Sequence, residues 1–457
     1  MSTLKITNPA DGAPLAEVPA DDAASVAAKA GRARRAQPAW RATPLAERKA
    51  AIARFRAAVA SESDALARTL THEVGKPLQQ SRNELNGFLG RIDFFLAEVD
   101  ATIAPETVFA DGALRERIDH DPLGVVANVS AWNYPYFVGG NVFVPALLTG
   151  NAVLYKPSEF ATLTGLHIDR MLHAAGVPDD VFVTLVGAGD VGAALLEQRV
   201  DGVFFTGSVA TGRKIAAAMG SRMVRLQLEL GGKDPTYVAD DVDVRAAAES
   251  LADGAMYNTG QSCCSVERIY VHERVHDAFV EHFAATVRGF AIGDPLAPGS
   301  YIGPLTRRPQ LAVLEAQVAD AVARGATLVL GGKRIERPGN WFEPTVLTGV
   351  DHTMAVMRDE SFGPIIGIQK VSGDAEALAL MNDTPYGLTA GMYTRDEARA
   401  AGLLGAVHAG SVYWNCCDRV SPRLPWSGHG DSGVGVTLSS YGIQAFTRPR
   451  AWHLRAP

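Results

Sequence analysis

Two adjacent thiols, Cys263 and Cys264, lie in the stretch Met-Tyr-Asn-Thr-Gly-Gln-Ser-Cys-Cys-Ser-Val-Glu-Arg-Ile-Tyr-Val, Met256 to Val271. The pattern predicts a helix from Val244 to about Asn258, capped by Asp243, that runs into Thr259-Gly260-Gln261. The chain then turns through Ser262–Ser265 and enters an alternating strand at Val266. A thiol on such a turn, with backbone amides nearby, can ionise below its free pKa of about 8.5 and act as a nucleophile. A Cys is otherwise a small buried hydrophobe, and the doublet alone favours that reading. Two upstream segments reverse the balance: Gln227-Leu-Glu-Leu-Gly-Gly-Lys-Asp-Pro235 and Ala131-Trp-Asn-Tyr-Pro135.

Together the three segments resemble the aldehyde dehydrogenase superfamily, in the expected order, with further matches from about residue 120 to 450. The resemblance implies that Cys263, third after Gly260, is the nucleophile, and that Glu229 of Glu-Leu-Gly-Gly-Lys is the general base. It implies that Asn133 of Trp-Asn-Tyr-Pro holds the oxyanion, together with the Cys263 backbone amide. Cys264 becomes a pocket wall beside the nucleophile. The activity implied is oxidation of an aldehyde to a carboxylic acid, through a thiohemiacetal and a thioester, with reduction of NAD(P).

The same resemblance assigns the cofactor groups. Trp132, Lys156, Glu159, Thr206, Gly207, Ser208, Leu230, Gly231, Glu360 and Phe362 match positions that hold the dinucleotide in relatives. Lys156 and Glu159 match the pair on the adenine ribose, and Glu360 and Phe362 the residues by the nicotinamide. A carboxylate at 159 accepts ribose hydroxyls and repels a 2′-phosphate, which favours NAD over NADP, although some relatives with this Glu use NADP. The aldehyde tunnel is expected to be lined by Phe137, Val138, Asn141, Ser262, Cys264, Arg419 and Val420. An Arg at its mouth, 419 or 423, could grip a carboxylate. No metal is expected.

The elements that must position these groups follow from the order of the chain. Residues from about Asp22 to Asp100 read as Ala-rich helices with breaks near Pro44, Ser63 and Lys76-Pro77. From Pro122, apolar runs at Gly124–Ser130, Gly150–Lys156, Val181–Val186 and Gly202–Phe205 alternate with helical stretches. That is a parallel sheet with crossover helices, the architecture of nucleotide-binding folds. Gly187-Ala-Gly189-Asp-Val-Gly192 matches G-x-G-x-x-G but lacks the acid about 20 residues on, and reads as an ordinary strand-to-helix turn. Phe205-Thr-Gly-Ser208, opening the helix Val209–Met219, is the better diphosphate site. A second βα region follows Cys263. The fold expected is α/β and aldehyde dehydrogenase-like, with two Rossmann-like parallel-sheet domains and a small β oligomerisation element. Residues 1–101 and 121–230 would bind the cofactor, 231–430 would form the catalytic domain, and 102–120 with 431–457 the hairpin and arm. The Leu114–His120 ribbon and an arm from Leu438 to His453 are expected to pair across subunits in a homodimer or homotetramer.

Bulk properties exclude several classes. The 457 residues are 47% hydrophobic and 20% charged, ordinary for a globular protein. A net charge of −7 gives no reason to expect nucleic-acid binding. No apolar run suits a membrane span, and the start lacks a signal peptide's apolar centre. The four Cys fall in two adjacent doublets, which suits a reduced, cytoplasmic protein rather than a disulfide framework. Three departures from relatives stand out. Val142 replaces a Lys on the helix after Asn133, and Thr437 replaces a late acid, so Glu229 is left without that proton relay. The Pro425–Gly433 segment lacks the relatives' Lys. A CoA-acylating enzyme is the alternative, and the presence of Glu229 argues against it.

Overall fold

A computed structural model describes residues 2–456. The chain opens with an antiparallel pair, β1 (Thr3–Thr7) and β2 (Pro14–Pro19). Four helices follow: α1 (Ala23–Ala42), α2 (Leu45–Ser61), α3 (Ser63–Val74) and α4 (Leu78–Thr102). Pro44 and Pro77 stand immediately before α2 and α4, where a fixed φ costs nothing and a missing N–H is not needed. A ribbon, β3 (Glu106–Ala110) and β4 (Leu114–Pro122), leads into the first βα region. That region runs β5 (Val125–Val129), α5 (Pro135–Leu148), β6 (Ala152–Lys156), α6 (Thr162–Ala174) and β7 (Phe182–Thr184). It continues with α7 (Gly189–Glu197), β8 (Gly202–Thr206), α8 (Val209–Met219) and β9 (Arg225–Glu229).

The second region holds β10 (Pro235–Val238), α9 (Val244–Met256), β11 (Arg268–His272), α10 (His276–Arg288) and α11 (Pro309–Ala323). After these come β12 (Thr327–Leu330), β13 (Thr345–Thr348), α12 (Ala355–Arg358), β14 (Ile365–Val371) and α13 (Asp374–Asn382). The chain finishes with β15 (Thr389–Tyr393), α14 (Glu397–Leu404), β16 (Ser411–Trp414), β17 (Gly433–Val434), α15 (Ser439–Gln444) and β18 (Thr447–Arg455).

Two sheets organise the molecule. The first has order β17-β9-β8-β5-β6-β7, parallel except for β17; the second has order β12-β13-β14-β11-β10-β15-β16, parallel except for β12. The chain crosses from one to the other between Glu229 and Pro235. Strands such as β6 and β11 are buried along their whole length because helices cover both faces, which is why they read as continuous apolar runs. Helix α5 is buried on every side. Its Phe143 meets Phe55, Phe88, Tyr155 and Phe182, mostly edge to face, and so joins α2, α4 and the first sheet. Among the described residues no helix is long and apolar enough to cross a membrane.

The third sheet, β18-β4-β3, stands apart. β18 pairs with β4 from Thr447–Pro122 to Arg455–Leu114, and β3 is exposed throughout, Val108 and Phe109 included. The arm therefore starts later than the expected Leu438. β17 joins the edge of the first sheet and α15 packs on α4 and α5, because Ile443 and Phe446 are apolar enough to enter that core.

Helix α6 lacks a capping side chain of its own. Glu73, at the end of α3, supplies one: its carboxylate accepts the N–H groups of Leu163 and Thr164 (2.6 and 2.8 Å) and the Thr164 hydroxyl (2.7 Å). Glu73→Ala strands buried donors, and urea unfolding should register a loss of about 1–3 kcal/mol.

Candidate active site

The thiol turn is built by tertiary partners more than by local propensity. The helix α9 stops at Met256, two residues short of the expected Asn258. Asn258 and Thr259 then take left-handed backbone (φ 53° and 58°), which an Asn tolerates when its side chain is satisfied. It is: Asn258 Nδ2 donates to the carbonyls of Gln261 (2.9 Å) and Asn133 (3.3 Å), and its N–H to Gln80 Oε1 (2.9 Å). Gly260 has φ 69°, and a Cβ there would stand 2.2 Å from the Gly363 carbonyl oxygen, so only Gly fits. Asn133 Nδ2 in turn donates to the Gln261 carbonyl (3.2 Å), which lays its amide beside the turn.

Cys263 is half-buried and opens on a cavity of about 700 Å³. Phe137, Val138, Asn141, Ser262, Cys264, Arg419 and Val420, the residues expected around the aldehyde, line the same cavity. Cys264 differs from its neighbour: it is buried, and its thiol donates to Asp418 Oδ1 (3.0 Å). Bonding to Cys263, burial and the Asp418 charge hold Cys264 well above the ordinary thiol range, so it keeps its proton. Arg419 and Arg423 are exposed at the rim. Among the described residues neither forms an ion pair, with Asp418 or any other acid, because both point to water.

Glu229 ends β9 and is buried outside this cavity. Its loop nevertheless reaches the Cys263 backbone: a Cβ on Gly232 would stand 3.2 Å from the Cys263 carbonyl oxygen. Gln227 Nε2 donates to Glu229 Oε1 (2.9 Å), while Oε2 has no partner. Trp426 and Thr437 stand beside it, so the position where relatives carry an acid does approach Glu229. Val142 is buried in the core. Burial raises the Glu229 carboxyl well above the ordinary carboxylate range, and the Gln227 amide opposes it only in part.

The groups expected around the cofactor lie along the switch between the two sheets. Thr206 ends β8, Gly207 N–H donates to the Glu229 carbonyl (3.0 Å), and Ser208 caps α8 through Thr211 N–H. Lys156 is buried at the end of β6; its ammonium donates to the Pro157 carbonyl (3.1 Å) and lies 3.8 Å from Glu159 Oε2. Glu360 Oε1 accepts Gly232 N–H (3.3 Å) and packs on Gly231, next to Leu230. Burial and the Glu267 charge push the Glu360 carboxyl up to about 8. Phe362, with left-handed φ of 47°, meets Trp132 edge to face at 5.5 Å.

Comparison with known proteins decides the family. The aldehyde dehydrogenase family model matches residues 1–452. The chain belongs to the aldehyde dehydrogenase family. It is 36% identical to a 3,6-anhydro-alpha-L-galactose dehydrogenase of Streptomyces coelicolor, over 99% of this chain and 93% of that one. It is 33% identical to a succinate-semialdehyde dehydrogenase [NADP(+)] of Deinococcus radiodurans, over 97% and 93%. An indole-3-acetaldehyde dehydrogenase solved with NAD+ superposes with a TM-score of 0.96 at 32% identity, covering 100% of this chain and 94% of that one. The family assignment makes the protein an NAD(P)-dependent aldehyde dehydrogenase. Its residues suit a dinucleotide: the α8 amides open where the first sheet ends, a buried ammonium and a carboxylate adjoin at 156 and 159, and Trp132 and Phe362 offer apolar rings.

Several residues of this family member escaped the sequence reading. Glu267, four residues after Cys263, accepts Lys233 Nζ (2.6 Å) and the N–H groups of Ser361 (2.8 Å) and Phe362 (3.0 Å). Lys76 and Glu84 form a fully buried ion pair beside the cavity, with Lys76 Nζ 3.7 Å from the centre of the Tyr134 ring. Arg91 also lines the cavity. A signal for the last two existed on α4: Glu84 and Arg91 stand seven residues apart on the stripe that buries Leu85, Phe88 and Ile92.

The Glu229 environment has a consequence for stability. Between the ordinary carboxyl pKa of 4.5 and its raised value, Glu229 is protonated when folded and ionised when unfolded. The folded form then binds more protons, so this group lowers stability as pH rises through that window. Glu229→Gln removes the effect, and thermal melting should give the variant a larger advantage over wild type at about pH 8 than at about pH 5.

Proposed function

We propose that Cys263 is the nucleophile of this dehydrogenase, Asn133 its oxyanion donor and Glu229 the base that hydrolyses the thioester. The observation that carries the assignment is the contrast within the doublet: Cys263 opens on the cavity, and Cys264 is buried with its thiol given to Asp418. The Cys263 thiolate adds to the aldehyde carbon, forming the C–S bond and an oxyanion. One N–H of the Asn133 amide is taken by Gln261, and the other is left for that oxygen. The Cys263 N–H has no acceptor among the described residues and supplies a second donor. Each such donor is worth about 10²–10³ in rate. Trp132, Glu360 and Phe362 would hold the nicotinamide end of NAD(P), which would supply the acceptor for the hydride on the substrate carbon. What remains on Cys263 is a thioester. Glu229 then removes a proton from water, which attacks the acyl carbon, and the C–S bond breaks to give the acid and the thiolate. A raised pKa makes the ionised Glu229 a better base, and the Gln227 amide holds it by Oε1.

Residues 1–101 and 121–230 form the cofactor-binding domain in this reading, and 231–430 the catalytic domain. Glu159 beside Lys156 supports NAD over NADP, since its carboxylate would repel a 2′-phosphate. The substrate is an aldehyde small enough for the cavity; the names of the relatives span a semialdehyde of a dicarboxylic acid and a sugar-derived aldehyde. Four unpaired Cys suit a reducing cytoplasm.

The third sheet supports assembly through the ribbon and arm. Both edges of β18-β4-β3 are unpaired among the described residues, and Val108 and Phe109 are exposed on β3. We read 102–120 with Thr447–Arg455 as the subunit contact of a homodimer or homotetramer.

The chemistry is tested with three variants and a broad panel of aldehydes. Cys263→Ala should abolish NADH formation, Cys264→Ala should retain a substantial part, and Glu229→Gln should give a burst near one NADH per site followed by slow turnover. The reverse order of the two Cys variants would move the nucleophile to 264, and a dependence on added coenzyme A would replace hydrolysis with acyl transfer. Assembly is tested by sedimentation at micromolar concentration, where a dimer or larger is expected and a monomer refutes the reading.

A further inference from the structure

Arg91 is the one cation of the cavity wall that is buried and has no acid to neutralise it among the described residues. It projects from α4 and is 6% exposed. Its Nη1 donates to Asn141 Oδ1 (2.9 Å) on α5, and its other N–H groups have no protein acceptor among the described residues. The two acids nearest in charge are otherwise engaged. Glu84 pairs with Lys76 and accepts the Tyr136 N–H (3.0 Å), and Asp418 accepts the Cys264 thiol (3.0 Å). Burial lowers the Arg91 guanidinium to about 10, which still leaves it charged at neutral pH.

The guanidinium is also held in orientation. It stacks 3.8 Å from the centre of the Phe137 ring. Phe137 stacks on Tyr134 (5.8 Å, 10° between planes), and Lys76 Nζ sits 3.7 Å from the centre of the Tyr134 ring. A cation therefore covers each end of one aromatic pair, and only the Lys76 end carries a countercharge. A stacked guanidinium with donors turned to an open cavity is prepared to meet a planar anion without reordering.

We infer that Arg91 is a specificity-determining residue that binds a carboxylate at the far end of the aldehyde substrate. The inference rests on the aldehyde-oxidising reading of the Cys263 cavity. Cys263 and Arg91 line the same space, so one molecule can place its carbonyl at the thiol and its carboxylate at the guanidinium. Asn141 fixes the guanidinium from α5 and is a positioning residue. The exposed Arg419 and Arg423 at the rim are not needed for this contact. A neutral or polyhydroxylated aldehyde would leave the buried charge uncompensated, the costlier arrangement.

Kinetics and binding test this together. In wild type, kcat/KM for glutaric or succinic semialdehyde should exceed that for pentanal or butanal, and in Arg91→Met that preference should fall by about 10- to 150-fold, the range of a hydrogen bond to a charged group. The neutral aldehyde should change little, and Arg91→Lys should restore part of the preference. Calorimetric titration of wild type with glutarate and with glutaramide needs no turnover and no variant, and glutarate should bind at least about tenfold more tightly, a difference that Arg91→Met removes. Equal losses for both aldehydes in Arg91→Met, equal binding of glutarate and glutaramide, or a wild-type preference for a neutral or sugar aldehyde would each overturn the inference. Selective glutarate binding without turnover of any aldehyde would uphold the Arg91 site and overturn the catalytic reading instead.

Discussion

The carboxylate of Glu267 ties together the loops that converge on the thiol. It lies just before β11, four residues from Cys263, and accepts Lys233 Nζ and the N–H groups of Ser361 and Phe362. Lys233 also donates to the Ser361 hydroxyl (3.0 Å), so the loop after Glu229 and the loop carrying Glu360 and Phe362 are fixed to one another. Breaking such a buried pair leaves a charge with nothing to meet it, typically several kcal/mol. The Glu229 loop, the Cys263 turn and the Phe362 turn therefore move as one body. That rigidity holds the ends of the two sheets in one fixed arrangement around Cys263.

A second buried arrangement shapes the other side of Cys263. Helices α4 and α5 meet through Phe88, Phe143 and Tyr136, and the same contact carries Glu84, Tyr134, Phe137 and Arg91 to the cavity wall, with Lys76 behind Tyr134. Charges in such a place lower stability unless paired. Lys76 and Glu84 pair with each other; Arg91 keeps an amide, a ring and an open cavity. The tunnel wall is thus electrostatically uneven. Lys76 and Glu84 neutralise one another, and Arg91 has no ion-pair partner among the described residues.

Much of the architecture was legible because it follows from period and punctuation. The β-α alternation after Pro122 and the helix breaks at Pro44 and Pro77 fall where the residues place them. The misreadings were all tertiary. The helix before the thiols ends at Met256 because Gln80 and the Gln261 carbonyl draw Asn258 out of it. Residues 433–446 read as an arm, yet β17 pairs with β9 and Phe446 stacks on Phe204 at 4.3 Å. Arg419 and Arg423 line the cavity as their place in the chain suggests, and only packing shows that Arg91 of α4 lines it too.

The sequence by itself determined the family, the order of the elements and the short motifs around Asn133, Glu229 and Cys263, since each is a local pattern that a few spaced residues carry. Only the tertiary structure decided which thiol is half-buried and which is buried with its S–H donated to Asp418, which carboxyl is raised by burial and which arginine is left without an acid. Those are properties of distance and of water excluded by segments far apart in the chain. Arg91 and Asn141 lie 50 positions apart, and nothing but the packing of α4 on α5 brings them to one hydrogen bond.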